Sequence, residues 1–189
     1  MKKIKFTGVV INRQNHSEAD RIITVYTQEL GKIRLKAAGV RKITSRRAGT
    51  IELFNLVKGA AVVGRNQFYV LTEVELLHSF SEWKHQLGRI NLGFQISEAV
   101  DSLTPEGEPF PEVFQLLTEY LNSISEFGRD WQAETSAFLL RLLVILGYWP
   151  EDKPFSGDIY GLIESVTNRR FNSSRLLQKI SGLTNKTSD

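Results

Sequence analysis

The sequence predicts an α+β protein in which a five-stranded β-barrel is followed by an all-α helical domain. Short β-branched runs separated by turn residues fill the first 80 residues, and apolar residues recur every three or four positions after them. The charge divides at the same place. Residues 1–80 contain 14 Lys and Arg against 6 Asp and Glu, and residues 81–189 contain 10 against 15, so the net charges are +8 and −5. We therefore expect two domains, 1–80 and 81–189, of which the basic one suits a polyanion.

The first domain contains five predicted strands. They lie at residues 5–12, 21–28, 32–38, within 51–63, and at 68–75. Leu30-Gly31 predicts a tight connection into the third strand, and residues 64–66 predict a turn before the fifth. Gly8 and Gly59 lie inside predicted strands, where glycine often marks a bend or a close approach of another segment. Such strands suit a small, strongly bent barrel.

Helical periodicity begins at about residue 80. Apolar residues at three- and four-residue spacing run from Trp83 to Phe94 and predict a helix. Residues 104–112 are a Pro-rich loop that places Pro111 in the first turn of the next helix. A last amphipathic helix is predicted at about 173–181.

Residues 137–146, AFLLRLLVIL, are apolar nearly all round and predict a helix buried at the centre of the second domain, ending at Gly147. Arg141 interrupts this run, so we expect its side chain to be partly buried and to need a partner. One interpretation is an internal pair with a carboxylate of the helical domain. The other is a receptor for an acidic or C-terminal carboxylate of a binding partner.

Several classes of function are excluded by residue type. The chain has no cysteine, so it forms no disulfide, thiolate nucleophile or Cys-ligated zinc site. It has no run of 18 apolar residues, and its charged N-terminus has too short an apolar stretch for a signal peptide. Neither a phosphate loop nor GxGxxG or GxSxG is present. We expect a cytoplasmic protein without a cofactor and without a membrane partner.

The carboxylates of the acidic half are weak candidates for catalysis. Glu98 and Asp101 are three residues apart on a predicted helix, and Glu106, Glu108 and Glu112 flank the Pro-rich loop. Such groups usually form a solvated surface, and the three histidines lack metal-site spacing. We therefore expect no catalytic residue and no metal, and keep as an alternative an enzyme that uses Glu98 and Asp101.

The most informative segment is KIRLKAAGVRKITSRR at residues 32–47, which contains seven Lys or Arg and no acid. In a strand that alternates cation and hydrophobe, the cations share one face about 6–7 Å apart, roughly the phosphate spacing of an extended single strand. The loop after the strand continues the row and adds hydroxyl donors. The residues predicted to bind nucleic acid are Lys32, Arg34, Lys36, Arg41, Lys42, Arg46 and Arg47, with Arg13 and Arg21 nearby.

Aromatic side chains of the same domain are candidate stacking platforms for unpaired bases. They are Phe6, Tyr26, Phe54, Phe68 and Tyr69. Most aromatic residues of a small barrel belong to its core. Phe68 and Tyr69 are neighbours on one strand and point to opposite faces, so we expect one of them to be exposed.

A set of short motifs occurs in a fixed order along the chain. They are Gly8-Val9-Val10, SEADRII at 17–23, Tyr26-Thr27 with Gly31-Lys32, AGVRK at 38–42 with Ser45, Glu52, LTPEGEP at 103–109, and RLL to LGY at 141–148. In this set the sequence resembles the bacterial DNA repair and recombination mediator family RecO over roughly residues 5–150. The resemblance implies an OB-fold for the N-terminal barrel and a helical C-terminal domain.

The resemblance also implies a function. It implies non-catalytic binding of single- and double-stranded DNA, annealing of complementary strands, and a nucleoid-associated location in a bacterium. The basic row has few side chains suited to base edges and would position the nucleic-acid backbone, so we expect the binding to be independent of sequence. With a RecR-like partner, such a protein would help RecA replace the single-stranded DNA-binding protein, whose C-terminal tail the helical domain would contact. Many members carry a four-cysteine zinc module after the LGY segment, which this cysteine-free and comparatively short chain lacks. The alternative is an OB-fold RNA-binding protein with a helical protein-docking domain, which would prefer RNA.

Overall fold

The computed structural model describes residues 3–64, 68–128 and 131–173. Within them it has five strands followed by five helices. The strands are β1 (Lys3–His16), β2 (Asp20–Thr27), β3 (Gly31–Ala37), β4 (Leu56–Val63) and β5 (Tyr69–His78). The helices are α1 (Ser81–Lys84), α2 (Leu87–Leu103), α3 (Pro111–Ser123), α4 (Trp131–Ile145) and α5 (Ile159–Thr167). Two residues of the predicted turn, 65 and 66, and residues 174–181 of the predicted last helix lie outside the described residues.

The strands form a closed barrel in the order β1-β2-β3-β5-β4. Neighbouring strands are antiparallel, except that β3 and β5 are parallel. This confirms the predicted five-stranded barrel followed by helices, although β1 is longer at both ends than the sequence indicated. The compact units are residues 1–80 with 104–119, and residues 81–103 with 120–189. The expected domain boundary at residue 80 stays a prediction. The compact unit that contains the barrel also includes residues 104–119.

The first strand closes the barrel because it pairs with two partners in succession. Its first half, Lys3 to Val9, pairs with β4, and its second half, from Gly8 to His16, pairs with β2. A bulge between Val10 and Asn12 lies just after the change of partner, and bulges increase the bend of a strand. There the backbone of Val10 bonds to the segment before β4, accepting a hydrogen bond from the Phe54 N–H at 2.8 Å.

The barrel core follows from the two-residue period of the strands. Ile33 and Leu35 of β3 point inward and are buried, while Arg34 between them is exposed. A side chain at Gly59 would begin 2.6 Å from the ring of Phe6, so the barrel is narrow enough there to require glycine. The core cluster is Phe6, Val10, Ile23, Val25, Ile33, Leu35, Ala37, Val40, Ile51, Val57, Ala61 and Leu71.

The apolar spacing from Trp83 to Phe94 predicted one continuous helix. This prediction is wrong, because the structure has two helices there, α1 and α2. The Gln86 N–H donates to Trp83 O at 3.0 Å and closes a turn, and α2 begins only at Leu87, which is 64% exposed. The indole of Trp83 is buried and donates to Leu121 O at 3.0 Å, so it ties α1 to the end of α3. The predicted position of Pro111 at the start of a helix is confirmed.

The expected burial of Arg141 is wrong. The buried residues of α4 are Thr135, Phe138, Leu139, Leu142 and Leu143. They repeat every three or four positions, so the helix keeps one open face despite its apolar composition. Arg141 lies on that face with its side chain 54% exposed, and its Nη1 is 2.7 Å from Glu151 Oε1. In the described ranges, no helix has both the length and the apolar character needed to cross a bilayer.

Candidate nucleic-acid interface

The third strand presents two of its three cations to solvent. Arg34 is exposed and Lys36 is partly exposed, as the alternation predicts. Lys32 is different, since it is only 6% exposed. The segment before α3 covers it: Glu106 forms a parallel bridge with Lys32, and the Gly107 N–H donates to Lys32 O at 2.9 Å. The expected exposed row therefore begins at Arg34, because a distant segment pairs with the start of β3.

The loop at residues 38–47, here called the basic loop, is anchored to the turn between β1 and β2. The Arg41 N–H donates to Ala19 O at 2.9 Å, and the Arg41 guanidinium donates to Ser17 O at 2.7 Å. Arg47 donates to Ala38 O at 2.9 Å. Lys42 and Arg46 are exposed, and their side chains make no ion pair or hydrogen bond with any residue in the described part of the chain. These two cations are therefore available to bind an anion.

Asp20 fixes the point where β3 passes into the basic loop. Its Oδ1 accepts a hydrogen bond from the Gly39 N–H at 2.8 Å, and its Oδ2 lies 3.0 Å from Lys36 Nζ. The Gly39 N–H, and after it the Lys36 ammonium, hold the pKa of the Asp20 carboxyl below its ordinary value. The charged carboxylate thus orients both the loop backbone and one of the predicted site cations.

Arg13 and Arg21 meet at the carboxylate of Glu52. Arg13 Nη1 bonds to one carboxylate oxygen, and Arg21 Nη1 lies 3.3 Å from the other. The side chains of Arg13 and Arg21 are 32% and 21% exposed, and Glu52 belongs to the segment that leads into β4. Arg21 pairs with Ala37 across the sheet, next to the start of the basic loop. These arginines therefore tie two strands to the segment before β4, and their charge is partly offset.

An acidic residue that the sequence placed in a solvated loop also belongs to this surface. Glu106 Oε1 lies 2.8 Å from Arg34 Nε, with the side chains 52% and 53% exposed. Gly31 allows this approach, because a Cβ there would lie 2.0 Å from Glu108 O. Sequence reasoning missed Asp20, Glu52 and Glu106 as site residues. The available signal was that Asp20 and Glu106 lie inside the SEADRII and LTPEGEP motifs, and that Glu52 is itself a member of the motif set.

The aromatic candidates separate clearly by burial. Phe6, Tyr26 and Phe54 are buried, and burial raises the pKa of Tyr26 to about 12. Tyr69 is partly buried and packs against the core, whereas Phe68 is 49% exposed. The prediction that one of the adjacent pair is exposed is confirmed. Among these five candidates, only Phe68 has a half-exposed ring.

Two hollows adjoin Phe68 on the outside of the barrel. The first, of about 470 Å³, is lined by Leu30, Lys32, Ile33, Arg34, Phe68, Tyr69, Glu106 and Gly107. The second, of about 260 Å³, is lined by His16, Ile22, Lys36, Phe68 and Val70. Each hollow thus combines the same aromatic ring with one of the accessible cations of β3.

The remaining candidates lie in the helical unit. Glu98 accepts hydrogen bonds from the backbone N–H groups of Asn172 and Ser173, both at 2.8 Å, so its carboxylate holds a chain segment in place. Among the described residues, no group of three or more His, Asp or Glu side chains is arranged to hold a metal ion. Arg141 also lies in the helical unit, where it forms an exposed ion pair with Glu151.

Comparison with known proteins adds a family relationship. The family model for the N-terminal part of recombination protein O matches residues 1–80, and the model for its C-terminal part matches residues 84–151. Three similar proteins carry the name DNA repair protein RecO. The protein from Pelotomaculum thermopropionicum is 33% identical over 150 residues, which are 79% of this chain and 57% of the relative. Those from Symbiobacterium thermophilum and Listeria monocytogenes are 34% and 32% identical, over 76% and 77% of this chain and 56% of each relative. The chain therefore spans a little over half the length of these relatives.

Proposed function

The chain belongs to the RecO family of DNA repair proteins, and we propose that it binds single- and double-stranded DNA through the basic face of its barrel. The basic face consists of the accessible cations of β3 and the basic loop. They are Arg34, Lys36, Arg41, Lys42, Arg46 and Arg47. The observation that carries the proposal is that these cations follow one another along one strand and one anchored loop, with Arg13 and Arg21 beside them.

Binding through this face would be independent of sequence. Lys and Arg side chains on a strand and a loop contact phosphates, which position a protein but carry no base information. The loop adds Thr44 and Ser45 as hydroxyl donors, and Asn and Gln, the side chains that pair bidentately with adenine, are absent from residues 32–47. A DNA strand held by its backbone keeps its base edges available for pairing. Neutralised phosphates also repel a second strand less, which supports annealing of complementary strands.

The proposal includes the protein partners of a recombination mediator. With a RecR-like protein, the chain would help RecA to assemble on DNA covered by the single-stranded DNA-binding protein, in the bacterial cytoplasm at the nucleoid. The helical unit would bind the C-terminal tail of the single-stranded DNA-binding protein. Arg141 is a candidate contact, because its exposed guanidinium could exchange Glu151 for a carboxylate of that tail. No chemical step is part of this function.

The test uses two double variants with the same change of charge. Lys42→Glu with Arg46→Glu removes two accessible cations of the basic loop, and Arg169→Glu with Arg170→Glu changes two exposed arginines of the helical unit. Binding to fluorescent single-stranded and duplex DNA is measured by anisotropy across a salt series. With about five phosphates neutralised, the slope of log K against log salt for the wild type should be near −3 to −4 on single strands.

The basic-loop variant should weaken binding to both forms of DNA. Two lost phosphate contacts should make the salt slope shallower by about 1.4 on single strands and by about 1.8 on duplex DNA. The control variant should bind like the wild type. Equal weakening by both variants would show that net charge, and not the basic face, attracts DNA. Preference for RNA of the same sequence in competition would favour an RNA-binding protein instead.

A further inference from the structure

Phe68 lies on the surface of the barrel, where its side chain is half exposed. It precedes β5, where that strand runs parallel to β3 and pairs Leu35 with Tyr69 and Lys36 with Val70. The other aromatic candidates of the barrel are buried or packed against the core. A Phe ring that stays half exposed contributes only part of its transfer free energy to folding, and the rest of its apolar surface remains accessible to a ligand.

The surroundings of the ring indicate a ligand with both apolar faces and negative charges. Phe68 lines both hollows, so the two hollows share this residue. Arg34 lines the first hollow and Lys36 lines the second. Alternate residues of a strand are about 6–7 Å apart, so each hollow has its own cation at a spacing that suits successive phosphates of an extended nucleic-acid strand. The basic loop continues directly from this strand.

We propose that Phe68 stacks on unpaired bases, one in each hollow, and that this contact is specific for single strands. The inference rests on the proposed function, because it assumes that the basic face binds DNA. In a duplex the bases are already paired and stacked, so a ring could contact their faces only by unstacking a step, which has a free-energy cost. The phosphates, in contrast, are accessible in both forms. Phe68 therefore contacts only single-stranded DNA, while the basic loop binds both single-stranded and duplex DNA.

The experiment compares three variants on two ligands. Phe68→Ala removes the ring, Phe68→Tyr keeps it, and Leu77→Ala truncates a similarly exposed apolar residue, 46% exposed, at the far end of β5. Each protein is titrated against a fluorescent oligothymidylate and against a mixed-sequence duplex of equal length, over a salt series. Thermal unfolding of each variant shows that the fold is kept, as expected for exposed positions.

Phe68→Ala should weaken binding of the oligothymidylate by at least about 5-fold, since each lost base–aromatic stack is expected to weaken binding about 5- to 150-fold. Its salt slope should be unchanged, since no phosphate contact is lost. Its duplex affinity should stay within about twofold, and Phe68→Tyr should bind single strands like the wild type. Equal losses on both ligands, or no loss on either, would overturn the inference while leaving DNA binding by the basic loop in place. If the wild type itself binds neither ligand, the proposed function fails first.

Discussion

Lys36 Nζ lies 3.0 Å from Asp20 Oδ2, and the other oxygen of the same carboxylate accepts a hydrogen bond from the Gly39 N–H. One carboxylate thus holds a cation of β3 and the backbone of the basic loop at once. The two contacts have opposite consequences for a DNA-binding surface. The backbone contact keeps the loop in place, whereas the ion pair reduces the charge that Lys36 offers to a phosphate.

Asp20→Asn separates these two effects. The amide oxygen still accepts from Gly39, but the negative charge beside Lys36 is removed. Single-stranded DNA should bind more tightly at low salt, because the carboxylate that competes with a phosphate for Lys36 has lost its charge, and the gain should shrink as added salt screens the charges. Asp20→Ala should show a smaller gain or a loss, because it also releases the loop backbone. Anisotropy titrations of both variants decide this. Equal affinities of Asp20→Asn and the wild type would mean that Lys36 takes no part in binding.

The same carboxylate makes stability depend on pH in the acid range. Because the folded protein holds the pKa of Asp20 below its ordinary value of 3.8, the carboxylate contributes stability that is fully present above that value. The contribution is lost as the pH falls through the lowered pKa. The difference in free energy of unfolding between the wild type and Asp20→Asn should therefore shrink as the pH falls below the ordinary value of 3.8. Urea unfolding at several pH values measures it, and a difference that stays constant would contradict the assignment.

Glu106→Gln tests the second acid of the basic face. It releases Arg34 from a pair whose members are both half exposed, so folding stability should change by less than about 1 kcal/mol. Binding of single-stranded DNA should strengthen and its salt slope should become steeper, because one more cation can displace a counterion. Glu151→Gln is the matched control, since it breaks a similarly exposed pair with Arg141. Stronger DNA binding by the control as well would point to net charge alone.

The sequence predicted the parts of this surface that depend on local order. The alternation in β3 fixes which cations face outward, since successive side chains of a strand point to opposite faces. Lys32 deviates because Glu106, far along the chain, pairs with the start of that strand. The acids that hold the cations, such as Glu52, also come from distant segments, and only tertiary contacts bring them close.

The helical half shows a different limit of sequence reasoning. The run 137–146 is almost entirely apolar, so its composition does not reveal which face packs and which stays open. The tertiary packing of α4 determines which of its faces is exposed, and Arg141 lies on that exposed face. The break between α1 and α2 was hidden for a similar reason, because the apolar spacing continues through it although the hydrogen bonds do not.

Gly31→Ala should damage the part of the barrel that carries Arg34. Gly31 has a φ of +63°, which other residues adopt at a cost, and an added Cβ would lie 2.0 Å from Glu108 O. The substitution should lower the free energy of unfolding by about 1–3 kcal/mol from backbone strain, and more where the Glu108 segment cannot move away. Gly49→Ala is the control, since it has space around it and no positive φ, and it should change stability by less than about 0.5 kcal/mol. Urea unfolding compares the two variants. If Gly31→Ala is as stable as Gly49→Ala, the segment that carries Glu106 does not pack on the barrel as the structure has it.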